Sequence, residues 1–138
     1  LDVDGSVRIR HNLLINGNLF VEGNFNASGT KTAIVDTPSF GKRKLYAIEA
    51  PTVRFIDEGV GMLVNGEATI YLDPIFAETI EGDILVHLTP RGPVNIYVAE
   101  QKENYFVVKS IDGRDVEFNW LVSAFRKGYK NLRMEEVE

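Results

Sequence analysis

The sequence predicts an all-β protein in two parts: a short hexad-repeat β-helical shaft over residues 1–30, then an antiparallel β-rich head over residues 31–126, with a charged tail at 127–138. Three observations carry this. The first thirty residues alternate apolar and polar, glycine returns there every six residues, and the remainder breaks into runs rich in Val, Ile, Tyr and Phe separated by turn dipeptides.

In the shaft, the odd positions from Leu1 to Gly29 are apolar or glycine except His11, and the even positions are polar except Leu14 and Phe20. Such alternation describes extended chain with one face to bury. Gly5, His11, Gly17, Gly23 and Gly29 occupy one slot of a six-residue unit, and apolar pairs fall between them: Val7/Ile9, Leu13/Ile15, Leu19/Val21 and Phe25/Ala27. Short strands joined at glycine corners build β-helical shafts. Thirty residues of one-faced strand make no core alone. The face is matched by coiling of the chain on itself, by packing as a hairpin on the rest of the domain, or by three copies wrapped around a common axis. The short length, under two coils of a single-chain helix, favours the intertwined trimer. Val7, Ile9, Leu13, Ile15, Leu19, Val21 and Phe25 are then its core, and the expected partner is two further copies of the chain.

In the head, strands are expected at about 32–36, 44–50, 52–57, 60–64, 67–72, 83–89, 94–99, 104–110 and 115–126. Asn65-Gly66 and Asp112-Gly113 read as two-residue hairpin turns. Pro90-Arg91-Gly92-Pro93 reads as another turn. Asp73-Pro74 opens one short helix, with Asp73 as cap and Pro74 at its first position. Trp120 alternates in phase with Val116, Phe118, Val122 and Ala124, so it belongs to the core. Lys127 to Glu138 reads as a loose tail or a short edge element.

Composition narrows the function classes. The absence of cysteine excludes disulfides, thiolate chemistry and cysteine-bound zinc. A net charge of −5 disfavours nucleic acid, and no apolar run approaches the ~18 residues of a membrane-spanning helix. No signal peptide is visible, and the chain starts at Leu1 rather than Met, a start that suggests a fragment or a cleaved or trimmed product.

From Gly29 onward the sequence resembles a family of β-rich domains found near the C-terminal end of bacterial and prophage-encoded fibre-like proteins, of the tail-fibre or tail-spike kind. The residues that carry the resemblance are Gly29-Thr30-Lys31, Ile34-Val35-Asp36-Thr37-Pro38, Glu49-Ala50-Pro51, Asn65-Gly66-Glu67-Ala68 and Phe76. Leu88-Thr89-Pro90, Tyr97-Val98-Ala99-Glu100 and Trp120-Leu121-Val122 continue the series to about residue 126. Thr37 stands where the family usually has His, and Ala50 where it usually has Ser. The resemblance implies a structural or adhesive segment at the end of a trimeric fibre, extracellular or on a virion, and it brings no catalytic residue to this chain.

Candidate chemistry is sparse, and no catalytic, cofactor-binding or metal site is expected. His11 fills a glycine slot, where a satisfied corner residue is the plainer reading than a ring of three metal or anion ligands. His87 shares the phase of Leu85 and is expected half-buried. Asp36, Glu49, Asp57, Glu58, Glu67 and Glu100 supply carboxylates for an acid–base pair, but acids at strand ends are ordinarily solvated. Gly59-Val60-Gly61 lacks the strand–loop–helix setting of a phosphate loop. Tyr46, Tyr71, Tyr97, Tyr105 and Trp120 are the candidates for a sugar-stacking face. A cell-surface glycan or receptor is therefore the second partner to consider, beside the homotrimer, while a glycan hydrolase or self-cleaving domain is the remaining alternative.

Overall fold

The computed structural model describes residues 3–137. The protein is all-β with antiparallel sheets, and it divides into two compact units, residues 1–48 and 49–138.

The first unit begins as extended chain bent at Asp4-Gly5, Arg10-His11, Asn16-Gly17, Glu22-Gly23 and Ser28-Gly29, so the bends keep the six-residue period of the sequence. A hairpin follows, with β1 (Thr32–Thr37) antiparallel to β2 (Gly41–Tyr46). Its turn is closed by the Thr37 hydroxyl, which donates to the Gly41 carbonyl at 2.8 Å and accepts from the Phe40 amide at 3.2 Å. Gly41 there takes a positive φ of 68°, a conformation glycine adopts without Cβ strain. The sequence pattern assigns this hairpin to the head, but it clusters with the first unit instead. The expected strand at 44–50 starts earlier, at Gly41, because the Thr37–Gly41 turn fixes its register.

The second unit holds two three-stranded sheets. In one, β3 (Arg54–Met62) and β5 (Ile80–Pro90) flank β8 (Glu117–Arg126). In the other, β4 (Glu67–Tyr71) and β6 (Ile96–Gln101) flank β7 (Tyr105–Ser110). Helix α1 (Pro74–Thr79) links β4 to β5. The Asp73 carboxylate accepts from the Ile75 and Phe76 amides, at 2.7 and 3.2 Å, as the cap the sequence calls for. Inward residues of the two central strands meet in the core, where Phe106, Val108, Phe118 and Val122 are fully enclosed with Leu63 and Ile84.

Two runs expected as separate strands, 52–57 and 60–64, are one strand, β3. Gly59 and Gly61 do not turn the chain. They leave room for rings from β8: a Cβ on Gly59 would lie 2.6 Å from the Trp120 ring, and one on Gly61 would lie 2.4 Å from the Phe118 ring. Trp120 is therefore half-buried rather than enclosed. Its ring packs edge-on to Phe106, with centroids 5.7 Å apart, and crosses the glycine gap in β3.

Asn65-Gly66 forms its turn and Asp112-Gly113 only a bend, and neither joins two strands of one sheet. Asn65 and Gly66 take positive φ and close a single bridge between Val64 and Glu67, after which β3 and β4 part into different sheets. Asp112-Gly113 likewise carries the chain from β7 in one sheet to β8 in the other. The two turns stack. A Cβ on Gly66 would meet the Gly113 backbone at 2.8 Å, the Gly66 amide donates to Asp115 Oδ1 at 2.7 Å, and the Ser110 amide donates to the Gly66 carbonyl at 2.9 Å.

Candidate functional site

The apolar row assigned to a shared core is uncovered in the single chain. Val7, Ile9, Leu13, Ile15, Leu19, Val21 and Phe25 keep between 41% and 64% of their surface exposed. No strand pairing involves residues 3–30 among the described residues. Gly5 takes a positive φ of 130°, but the later glycines of the repeat are unexplained within the chain. A Cβ on Gly17, Gly23 or Gly29 would meet nothing within 4 Å, and none of these three needs a positive φ. His11 lies at one of the bends and is exposed.

In the second unit the two outer sheet faces differ in chemistry. The outer face of β3, β8 and β5 mixes apolar side chains with Arg54, Glu58, His87, Thr89, Glu117, Asn119 and Ser123. Ile56, Val60, Met62 and Leu85 are exposed there, and Leu121 and Phe125 are half-buried. Across this face the register sets Ile56 beside Ser123 and Leu85, and Glu58 beside Leu121 and His87. His87 is thus exposed, not half-buried as its phase with Leu85 suggests, because that phase faces outward: Leu85 is half exposed too. Arg54 lies 4.3 Å from the centre of the Phe125 ring and donates to the Ser123 hydroxyl at 2.7 Å.

The outer face of β4, β7 and β6 carries tyrosines set among hydrogen-bonding groups. Glu67, Lys109 and Tyr97 form one row by register. Thr69, Val107 and Glu100 form the next, and Tyr71 and Tyr105 the third. The Tyr71 and Tyr105 rings pack with centroids 5.7 Å apart. The Tyr105 hydroxyl donates to Glu100 Oε1 at 2.7 Å. That bond, above all, holds the Tyr105 phenol above its ordinary pKa, because ionisation would place a second negative charge beside the carboxylate. Lys109 Nζ lies 3.8 Å from Glu67. Tyr46, by contrast, belongs to the hairpin of the first unit.

The remaining carboxylates are mostly occupied locally. Asp36 pairs with Lys42 at 2.8 Å in the hairpin, and Asp57 accepts from the neighbouring Glu58 amide at 2.9 Å. Glu58 borders an open depression of about 350 Å³ with Gly59, Val60, Asn119 and Trp120. No group of three or more His, Asp or Glu among the described residues is placed to hold a metal ion. Among them, too, no helix is long and apolar enough to cross a membrane.

The tail is tied down further than its charge suggests. Glu81 accepts from the Gly128 and Lys130 amides, Arg126 lies over the Tyr129 ring, and Arg133 bridges to Thr52. The sequence names Tyr71, Tyr97 and Tyr105 singly but does not reveal that they share a face. Alternation gives the side of each strand, while the pairing of β4 and β6 with β7 comes from tertiary structure. Comparison with protein-family models, curated proteins and solved structures finds no match for the chain.

Proposed function

We propose that this chain is a structural, non-catalytic segment of a fibre, extracellular or on a virion, that acts by associating as a homotrimer through residues 1–30. The observation that carries this reading is the pair of unexplained regularities in that segment. An apolar row is left open to water, and Gly17, Gly23 and Gly29 recur where nothing in the chain requires them. A neighbouring chain accounts for both: it covers the row, and it approaches too closely at the corners for a side chain. About half of the seven side chains' surface remains to be buried, which makes association worth roughly 5–10 kcal/mol per chain before ordering entropy. The β-helical form of the shaft belongs to the same reading, as does the resemblance of residues 29–126 to domains that end bacterial and prophage fibres. Ile56, Val60, Met62 and Leu85, exposed on the outer face of β3, β8 and β5, give the second unit apolar surface of its own for contact between copies.

Sedimentation equilibrium tests the assembly. The wild-type chain should run as a trimer. Leu19→Asp should dissociate it, because it buries an unpaired charge, whereas Asn18→Asp on the polar face should leave it intact. Gly23→Val should also weaken association while leaving the urea midpoint of the second unit unchanged. A monomeric wild-type chain at micromolar concentration would refute the shared core.

A further inference from the structure

We propose that Asp57 guards the free edge of β3 and keeps it from pairing with the same edge of a second copy. The inference concerns the second unit alone and holds whether or not residues 1–30 associate.

The bonding parity of β3 shows which groups lie on that edge. The Arg126 amide donates to the Val53 carbonyl, the Leu63 amide donates to the Val116 carbonyl, and the pairing between them is regular from Arg54 to Met62. Antiparallel partners exchange bonds at alternate residues. The odd residues of β3 therefore bond to β8, and the even ones turn their amides and carbonyls away from it. Since β3 lies at the margin of its sheet, the amides of Ile56, Val60 and Met62 meet no partner among the described residues. Such a row is a template for another strand.

The other margin strands carry obstacles of their own. β5 is bulged between Glu81 and Leu85, its Ile84 carbonyl accepts from Gln101 Nε2 at 3.0 Å, and it ends at Pro90, which has no amide hydrogen. β6 is bulged between Val98 and Glu100. β4 has only five residues, and the first of them, Glu67, is bonded both ways to Val64. β3 runs for nine residues with no bulge and no proline. Its obstacle is Asp57.

Asp57 breaks the local pattern. Aspartate is depleted in strands, and this one stands on the core side, in phase with Phe55 and beside the buried Val122. Glu58 is an even residue, so its amide belongs to the free edge, and Asp57 Oδ1 accepts from it at 2.9 Å. The carboxylate thus lies at the middle of the edge. It occupies a donor that a second strand needs, and it sets a charge where that strand would lie.

The pairing it prevents has a definite register. Two β3 strands fit antiparallel about a two-fold axis at Ile56, with Arg54 of each copy opposite Glu58 of the other. An axis at Glu58 would instead set two glutamates face to face. The favourable register puts Asp57 against Phe55 of the second copy. Burial of a carboxylate against that ring, with no cation to meet it, forbids the contact.

The test is sedimentation equilibrium of the full chain, with hydrogen exchange at the β3 amides. Asp57→Val should raise the mass to about twice the wild-type value or more, because the pairing is isologous, and should slow exchange at Ile56 and Val60. Asp57→Ala removes the same carboxylate without adding bulk, and it decides the matter if valine disturbs the fold. Urea unfolding followed by Trp120 fluorescence shows which variants are folded. Adding Val60→Pro removes an edge donor without breaking a bond to β8, so it should restore the wild-type mass. Wild-type mass in the folded variants refutes the proposal. So does association that survives Val60→Pro or leaves exchange at Ile56 unchanged, since it then runs through another surface.

Discussion

Gly61→Ala places one methyl group where the structure has no room for it. The added Cβ would lie 2.4 Å from Cζ of Phe118, whose ring is fully buried at the centre of the core. Neither partner has an easy retreat, since β3 is held along its whole length by β8 and the ring is enclosed by the other sheet. Overpacking of this kind costs about 1–3 kcal/mol. A unit of this size has a total stability on the order of 5–15 kcal/mol, so the loss is a sizeable share. With a urea slope of about 1–3 kcal/mol/M, the midpoint should fall by roughly 1 M. The assay is urea unfolding of the full chain followed by Trp120 fluorescence. Phe118→Leu trims the ring and leaves a cavity, so it should be destabilising alone. Combined with Gly61→Ala, it should be less so than the two single losses added, because each change relieves the other. A wild-type midpoint for Gly61→Ala, or strict additivity in the double variant, would refute the claim that the ring dictates glycine here.

Asp115→Ala should destabilise the second unit by about 1–3 kcal/mol, since the buried Gly66 amide loses its acceptor; Asp115→Asn, which keeps an oxygen there, should recover part of the loss in the same urea assay. Tyr105 holds its proton more tightly when folded than the ordinary phenol, because of the Glu100 bond. Its contribution is therefore full below about pH 10 and is lost as pH rises through the higher folded value. Ultraviolet titration should show one phenol ionising late, and Glu100→Gln should bring that step down; an unchanged titration in Glu100→Gln would rule out the carboxylate as the cause.

Features fixed by neighbouring residues were legible in the sequence. The Asp73 cap, the proline at the first position of α1, the turn at Asn65-Gly66, the chain reversal near Asp112-Gly113, and the period of six all appear where local chemistry puts them. What failed depended on distant partners. Gly59 and Gly61 look like a break between two strands until Phe118 and Trp120 are laid across them. The phase of His87 is legible but its side is not, because alternation gives two faces without saying which meets the core. The two dipeptide turns looked like hairpins because the sequence says where the chain reverses, not which sheet the next strand joins. The shared face of Tyr71, Tyr97 and Tyr105 was hidden for the same reason: it exists only once β4 and β6 have both paired with β7.

β7 and β8 are the central strand of each sheet and also the last two strands of the chain. During synthesis, β3 to β6 leave the ribosome before either sheet has its middle. At ~5–20 residues per second, β3, β4 and β5 wait for seconds as unpaired edges, since β3 and β5 meet only through β8, and β4 and β6 only through β7. The unit therefore closes in one late step, when β7 and β8 arrive. A product that stops short of Glu117 has no route to the first sheet, so premature termination leaves β3 and β5 unpaired rather than a partly built second unit.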